Sequence, residues 1–305
     1  PNFLKQYLEA NANNVELEIF ITPAGQTFFY WLYQSLNLHL ISRNEAMISE
    51  INKVKRVFAN TLGNPATRAK MFKDKLIASE ASIVFTQESD SFVPKLLVED
   101  SLFHPINSQN PNDGTFVFLH KDVWEPMYQT IPINDYPGYH QGRLNVILAT
   151  KRTGEKFLLA SAHGNSTRPE DGRLQIAKIM EKFRQLASLP ENLGLQLVIG
   201  IDANTKSDED VQLLREHLES LGLVATTVGP TTVKKRMVTA QHSKAGRFAI
   251  DEEDYVIILK PETGGNYQMI NPTVGFQETK PDLTIPLPNI ENPSDHYPVG
   301  ITLHP

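Results

Sequence analysis

Polar side chains able to bind phosphate, metal or water follow an apolar run near the middle of this chain. Residues 195–201 have the length of a strand, and Asp202 and Asn204 come directly after them. Because alternate side chains of an extended chain share a face, we expect these two to point the same way. They would supply half of a polar site. The pattern also fits a plain turn before the next helix, since Asp and Asn often begin turns.

Six further polar residues stand at the ends or starts of predicted strands. In chain order they are Asn60 after strand 54–59, Glu88 after 82–86, His163 after 156–162, Asp254 before 256–259, and Asp295 and His296 before 299–303. Carboxylates, amides and imidazoles can together hold a divalent cation, activate water and stabilise negative charge. A site that draws on both ends of the chain favours one domain over two.

Three helices are predicted between these strands. The first covers residues 67–79. The second begins after Ser166 or Thr167 as cap, with a buried stripe of Ile176, Ile179, Met180 and Phe183. The third is capped by Ser207 and stopped by Gly222. The acids of its first turn stabilise the start of the helix and are not interpreted as metal ligands; they are Asp208, Glu209 and Asp210. Residues 152–155 predict a hairpin, whereas residues 90–142 carry few regular signals besides a strand at 115–119.

The composition indicates a soluble protein without thiol chemistry. Forty per cent of the 305 residues are hydrophobic, and no apolar run is long enough to cross a bilayer. The absence of cysteine excludes disulfides, thiolate zinc sites and cysteine nucleophiles, and it leaves the cellular compartment open. A net charge of −6 argues against coating of long nucleic acid through bulk charge.

Three segments have two interpretations each. The aromatic residues of segment 28–33 favour a core element over a base-stacking platform. Trp124, Tyr128, Tyr136 and Tyr139 either line a groove or pin a long loop to the body. The segment 229–250 is by default a solvated loop, but its basic residues, Lys234, Lys235, Arg236, Lys244 and Arg247, make it the best candidate for gripping a polyanion.

Taken in order, the polar motifs resemble the endonuclease/exonuclease/phosphatase superfamily of metal-dependent phosphoesterases. The matching pieces are Phe58-Ala59-Asn60, Thr86-Gln87-Glu88-Ser89, Ser161-Ala162-His163 followed by Gly172-Arg173-Leu174-Gln175, Asp202-Ala203-Asn204, Asp254-Tyr255, and Ser294-Asp295-His296. One such piece is weak, but six in order are specific. Two features depart from the family pattern: Ile201 replaces the usual glycine before the Asp-x-Asn pair, and Asn60 lacks an aromatic residue directly before it.

The resemblance implies a four-layer α/β sandwich, with two mixed β-sheets packed face to face and helices outside (DNase I-like). Residues 51–305 would form this catalytic domain, and residues 1–50 an N-terminal extension packed on it.

The resemblance also implies a role for each site residue. Glu88, Asn60 and Asp295 would hold Mg²⁺ or Mn²⁺, and Asp202 would deprotonate the attacking water. Asn204 would hold a phosphate oxygen, and His163 and His296 would donate to the developing charge. Asp254 would pair with His296 and orient it.

The substrate class is less constrained than the reaction. Residues 163–168 are similar to the tyrosyl-DNA phosphodiesterase branch through Ser166-Thr167-Arg168, and residues 60–62 are similar to the deadenylase branch. We expect a nuclease that contacts nucleic acid through Arg168, Lys234, Lys235 and Arg236. The alternatives are an inositol-phosphate or sphingomyelin phosphoesterase, and a binding protein that keeps the fold without catalysis.

Overall fold

The structure is a computed structural model that describes residues 64–89, 102–107, 114–133, 143–226, 228–235, 248–275, 294 and 296–305. The chain divides into two compact units. Of the described residues, 64–72, 232–235, 248–250, 294 and 296 belong to the smaller unit, and the others to the larger. The predicted extension 1–50, with its aromatic segment, and the strand 54–59 lie outside the described residues. The domain boundary at residue 50 therefore stays a prediction.

The described elements alternate between strands and helices. They are α1 (Pro65–Ala78), β1 (Ile83–Thr86), β2 (Phe103–Asn107), β3 (Phe116–His120), β4 (Trp124–Thr130), β5 (Leu144–Lys151), β6 (Lys156–His163), α2 (Pro169–Ala187), β7 (Gln196–Asp202), α3 (Asp208–Leu221), β8 (Leu223–Ala225), β9 (Thr232–Lys235), β10 (Phe248–Asp251), β11 (Asp254–Leu259), β12 (Gln268–Val274) and β13 (Val299–His304). None of the described helices is long and apolar enough to cross a membrane.

A six-stranded mixed sheet forms the centre of the larger unit, in the order β4-β5-β6-β7-β11-β8. Strands β6 and β7 are parallel, and the other neighbours are antiparallel. Every residue of β7 is buried, and all but the first of β6 are buried. Strands covered on both faces have nearly continuous apolar runs, which is why both were predictable from sequence.

Each face of this sheet packs against a different layer. One face is covered by α2 and α3, through side chains that include Ile176, Ile179, Leu214 and Leu218. The other face packs on a three-stranded antiparallel sheet, ordered β1-β3-β2, which contributes Ile106, Val117 and Leu119 to the shared core. The predicted α/β sandwich, with two sheets face to face and helices outside, is confirmed.

Several strands escaped prediction. Strands β2 and β4 lie in the region 90–142, and β9 and β10 in the predicted loop 229–250. Trp124 of β4 is fully buried, and its indole Nε1 donates to the Ser82 carbonyl at 3.0 Å, so it belongs to the core rather than to a groove. Tyr128 of the same strand is exposed, whereas Tyr136 and Tyr139 lie outside the described residues.

Strand β12 contains Pro272, a residue type that is rare inside sheets. Among the described strands it pairs with β13 alone, and its register shifts between Ile270 and Thr273, so Pro272 lies at the irregularity. A proline cannot donate to a ladder and is tolerated at such a bulge.

The helix ends follow the sequence signals unevenly. Ser207 caps α3 as predicted, because its hydroxyl accepts the Asp210 amide at 3.1 Å, and Gly222 ends that helix with φ 76°. Neither Ser166 nor Thr167 caps α2. Arg168 occupies its N-cap position, without a capping side-chain hydrogen bond.

Gly200 of β7 marks a close approach between the two sheets. A Cβ at this position would lie 2.5 Å from ring carbons of Phe85 on β1. We therefore expect Gly200→Ala to lower the free energy of unfolding by about 1–3 kcal/mol, the usual cost of overpacking. Urea unfolding of the variant and of the wild type measures the difference.

Gly172→Ala is the matched control. Gly172 lies in α2, where the nearest atom to an added Cβ is the Ala203 carbonyl oxygen at 3.4 Å. Because alanine is the better helix former by up to about 1 kcal/mol, this variant should be equally stable or more stable. Equal effects of the two substitutions would contradict the assignment of Gly200 to sheet packing.

Candidate active site

Three strands deliver polar residues to one edge of the larger unit. His163 ends β6 and Asp202 ends β7, and the two are register partners in the parallel pair. The end of β1 is tied to the same place, because the Ser161 hydroxyl donates to the Thr86 carbonyl at 3.1 Å. Gln87 adds bonds from its Nε2 to Ser161 Oγ at 3.0 Å and to the Gly200 carbonyl at 3.3 Å. Glu88, the next residue, is thereby held at this edge.

One nitrogen of the His163 imidazole is close to two carboxylates. Its Nε2 is 3.5 Å from Glu88 Oε1 and 3.7 Å from Asp202 Oδ2. The side chains of His163 and Asp202 are 3% and 8% exposed, whereas that of Glu88 is 67% exposed. The cluster therefore has a buried side, formed by His163 and Asp202, and an open side at Glu88.

Glu88 adopts a backbone conformation that non-glycine residues rarely take. Its φ is 51°, in the left-handed region, which costs about 1–3 kcal/mol and persists only where the surroundings enforce it. Here the enforcing contacts are the Gln87 side chain and the Ser89 amide, which donates to the Gly114 carbonyl at 3.1 Å. Strain at an exposed carboxylate beside a buried histidine supports a functional role for Glu88.

Asp202 and Asn204 form a turn as well as part of this cluster. The Asn204 amide donates to Asp202 Oδ1 at 2.9 Å, and Asn204 has φ 52°. Asn204 lies in the turn after β7, which ends at Asp202, so strand alternation does not place its side chain. Asn204 Nδ2 donates to the Gly164 carbonyl at 3.0 Å. A primary amide has two N–H groups, so the second can serve a phosphate oxygen.

Strand β11 brings two more carboxylates to the neighbourhood of Asp202. Asp254 is its register partner across the β7–β11 pair. Glu253 is 1% exposed, and one oxygen of its carboxylate lies within 4.8 Å of an Asp202 carboxylate oxygen. The Ala203 amide donates to the Glu253 carbonyl at 2.7 Å. Sequence reasoning missed Glu253, although its position directly before Asp254 was a usable signal.

The turn after Asp202 is anchored by a buried tyrosine. Thr205 Oγ1 lies 2.9 Å from the Tyr255 hydroxyl, and both hydroxyls bond the Glu252 carbonyl. Burial raises the pKa of the Tyr255 phenol, so it stays neutral and keeps its proton to donate. Burial also raises the pKa of Glu252, against the opposing effect of Arg215 at 3.2 Å.

The structure describes fewer contacts for the other predicted site residues. His296 belongs to the smaller unit, where its amide donates to Ser294 Oγ at 3.1 Å and its backbone bridges Thr232. Its predicted pairing with Asp254 stays a prediction. Arg168 is exposed at the start of α2. Lys234 and Lys235 lie in β9, of which the structure describes the backbone, and Asn60, Arg236 and Asp295 lie outside the described residues.

The donor atoms of this cluster suit a hard divalent cation. Glu88 and Asp202 offer carboxylate oxygens, and such ligands favour Mg²⁺ or Mn²⁺ over zinc. The buried His163 and Asp202 fit a role in proton handling, whereas the open Glu88 fits a role as ligand. The residues present therefore fit the metal that the motifs imply.

No protein-family model matches the chain, and no curated protein matches its sequence. Several solved structures are similar. D. rerio TDP2, complexed with a single-strand DNA product, has a TM-score of 0.55 at 15% identity, covering 79% of this chain and 93% of that one. A mannosyl-6-phosphatase from Bacteroides thetaiotaomicron has a TM-score of 0.56 at 14% identity, covering 79% and 91%.

A third similar structure, also from Bacteroides thetaiotaomicron, is an endonuclease/exonuclease/phosphatase family protein. Its TM-score is 0.52 at 14% identity, covering 78% of this chain and 86% of that one. At such identities the similarity establishes the fold, and it extends over most of each chain. The protein therefore has the DNase I-like fold of the endonuclease/exonuclease/phosphatase superfamily, as its motifs predicted.

Proposed function

We propose that this protein is a metal-dependent phosphoesterase that hydrolyses phosphodiester bonds of nucleic acid. The observation that carries the proposal is the buried His163 imidazole, whose Nε2 lies close to the carboxylates of both Glu88 and Asp202. The fold adds support, because its similar structures include TDP2 with a single-strand DNA product and a mannosyl-6-phosphatase.

Each residue of the cluster has its own role in the proposed hydrolysis. Asp202 orients a water and takes its proton, so that the water oxygen bonds to phosphorus as the ester P–O bond breaks. The leaving oxygen takes up a proton from solvent water, and Asp202 then returns its proton to solvent. His163 donates to the negative charge that develops on the phosphate, and the second N–H of Asn204 holds a phosphate oxygen. His296, which Asp254 would orient, would donate to the same developing charge.

Glu88, with Asn60 and Asp295, would hold Mg²⁺ or Mn²⁺. When bound, such an ion neutralises charge on the phosphate and so lowers the barrier to attack by water. The exposed position of Glu88 leaves room for waters that Mg²⁺ usually keeps in its coordination shell.

Basic side chains would contact the rest of a nucleic-acid substrate. Arg168 is exposed five residues beyond His163, and Lys234, Lys235 and Arg236 belong to the most basic segment of the sequence. Because the whole chain carries a net charge of −6, such contacts must be local.

A substrate panel tests the function and its alternatives together. The panel holds single-stranded RNA, single-stranded and duplex DNA, a small phosphodiester, inositol phosphates, mannose 6-phosphate and sphingomyelin, each with Mg²⁺ and with EDTA. Cleavage of nucleic acid and of the small phosphodiester, abolished by EDTA, is expected. Cleavage of a phosphomonoester or of sphingomyelin instead would contradict nucleic acid as the substrate class. No cleavage of any substrate in the panel would favour the binding-protein alternative.

Glu88→Gln tests the metal assignment within the same assay. The amide is a weaker ligand, so the Mg²⁺ concentration for half-maximal activity should rise about tenfold or more, with partial rescue at high Mg²⁺. Glu181→Gln is the matched control, because Glu181 is an exposed glutamate paired with Lys178 on α2. An unchanged Mg²⁺ dependence in Glu88→Gln would remove Glu88 from the metal site.

A further inference from the structure

The segments that follow β6 and β7 are bonded to each other beside the candidate active site. The Gly164 carbonyl accepts from Asn204 Nδ2 at 3.0 Å and from Arg143 Nη1 at 2.9 Å. The Gly164 amide donates to the Asp202 carbonyl at 2.6 Å. Farther along, Lys206 Nζ donates to the Ser166 carbonyl. Residues 163–168 and 202–206 therefore form one bonded surface, called here the paired-loop surface.

Two cations of the paired-loop surface have no acidic partner within the described part of the chain. Lys206 is exposed, and its Nζ contacts only a neutral carbonyl, which leaves two of its three N–H groups for another acceptor. Arg168 is exposed too, and its guanidinium, with five N–H groups, has no described hydrogen bond or ion pair.

Three acids follow Lys206 closely in sequence, and none of them forms an ion pair with its ammonium within the described part of the chain. Asp208 and Glu209 are exposed in the first turn of α3. The Asp210 carboxylate accepts the Ser207 hydroxyl at 2.9 Å and the Lys206 backbone amide at 3.3 Å, at the start of α3. It thus serves the helix cap and makes no ion pair with the Lys206 ammonium.

We propose that Lys206 and Arg168 form a subsite for a second phosphate of a nucleic-acid strand, next to the phosphate that is hydrolysed. The subsite rests on the proposed function. Lys206 is two residues from Asn204 and is bonded to the segment that begins at His163, so a strand with one phosphate in the cluster passes this surface. A fork of guanidinium N–H groups and a flexible ammonium suit phosphate oxygens. Such contacts read the backbone and not the bases.

Binding without turnover tests the subsite. The full chain in EDTA is titrated into a fluorescein-labelled single-stranded thymidine octanucleotide, and anisotropy gives Kd at several salt concentrations. Lys206→Ala and Arg168→Ala should each raise Kd about three- to tenfold, and each should reduce the slope of log K against log salt by about 0.7, the value for one lost contact to a single strand. An unlabelled dinucleoside monophosphate, which offers one phosphate, should compete equally with the variants and the wild type.

Arg184→Ala is the matched control, since Arg184 is an exposed arginine of the same helix. At 1.5 Å per residue it lies about 24 Å along α2 from Arg168. Equal weakening by Arg184→Ala, unchanged binding in Lys206→Ala and Arg168→Ala, or no binding by the wild type would overturn the subsite. Binding that depends on Lys206 and Arg168, without hydrolysis of any diester in Mg²⁺, would support the subsite and overturn the proposed catalysis.

Discussion

Asp202→Asn is expected to slow phosphodiester hydrolysis by about 10²- to 10⁴-fold, the usual range for loss of a general base. An amide cannot take the proton of the attacking water. The structure predicts little change in fold. In the wild type the Asn204 backbone N–H donates to Asp202 Oδ1 at 2.9 Å, and the side-chain oxygen of an asparagine can accept the same hydrogen bond. The loss should therefore appear in kcat, with the urea midpoint close to that of the wild type.

The control for Asp202→Asn is Asp122→Asn. Asp122 is also an aspartate beside a histidine, with Oδ2 at 4.0 Å from His120 Nδ1, but its side chain is 89% exposed. Rates measured on one small diester at saturating Mg²⁺ should be normal in Asp122→Asn. A rate in Asp202→Asn within about twofold of the wild type would exclude Asp202 as the base.

The strand ends were predictable from sequence because buried strands appear as apolar runs and site residues appear as the polar residues that end them. Strands β6 and β7 read as largely apolar runs, interrupted in β6 by Ser161, and each stops at a polar residue, His163 or Asp202, that belongs to the cluster. Their parallel register then brings those two residues together. Glu88 could be placed at a strand end for the same reason.

The strands that were not predicted lack a clear apolar run that ends at a polar residue. Strand β4 is an edge strand with Pro126 and Met127 exposed, and β12 carries Pro272 at a shift in register. Edge strands can interrupt the alternation of polar and apolar residues and still pair on one side. Trp124 was ambiguous because a buried and a groove-lining tryptophan look alike in sequence.

The contacts that join the paired loops could not be predicted. Gly164 bonds to Asn204, 40 residues away, through a carbonyl that every residue type possesses. Likewise, a glutamate gives no sequence signal for the left-handed backbone of Glu88, which depends on Gln87 reaching β6 and β7. Tertiary contacts, and not local preference, decide both features.

Gly164→Ala tests whether this junction holds the active residues in place, without altering any chemical group of the cluster. An added Cβ would lie 2.8 Å from the Ala203 carbonyl oxygen and 2.9 Å from its carbon. Both are backbone atoms, so the loops must separate. Because a displacement near 1 Å can cost about 10²-fold in rate, we expect a loss of that order in kcat. The free energy of unfolding should fall by about 1–3 kcal/mol.

Gly172→Ala is again the right comparison, because Gly172 faces the same Ala203 carbonyl at 3.4 Å and can accept a methyl group. If both variants kept wild-type kcat, the spacing of the paired loops would not govern the reaction. A Gly164→Ala protein that lost stability alone would give Gly164 a purely structural role. A loss of kcat at urea concentrations well below the unfolding midpoint, where the variant is still folded, would mean that the 163–168 segment positions His163 and Asn204 for catalysis.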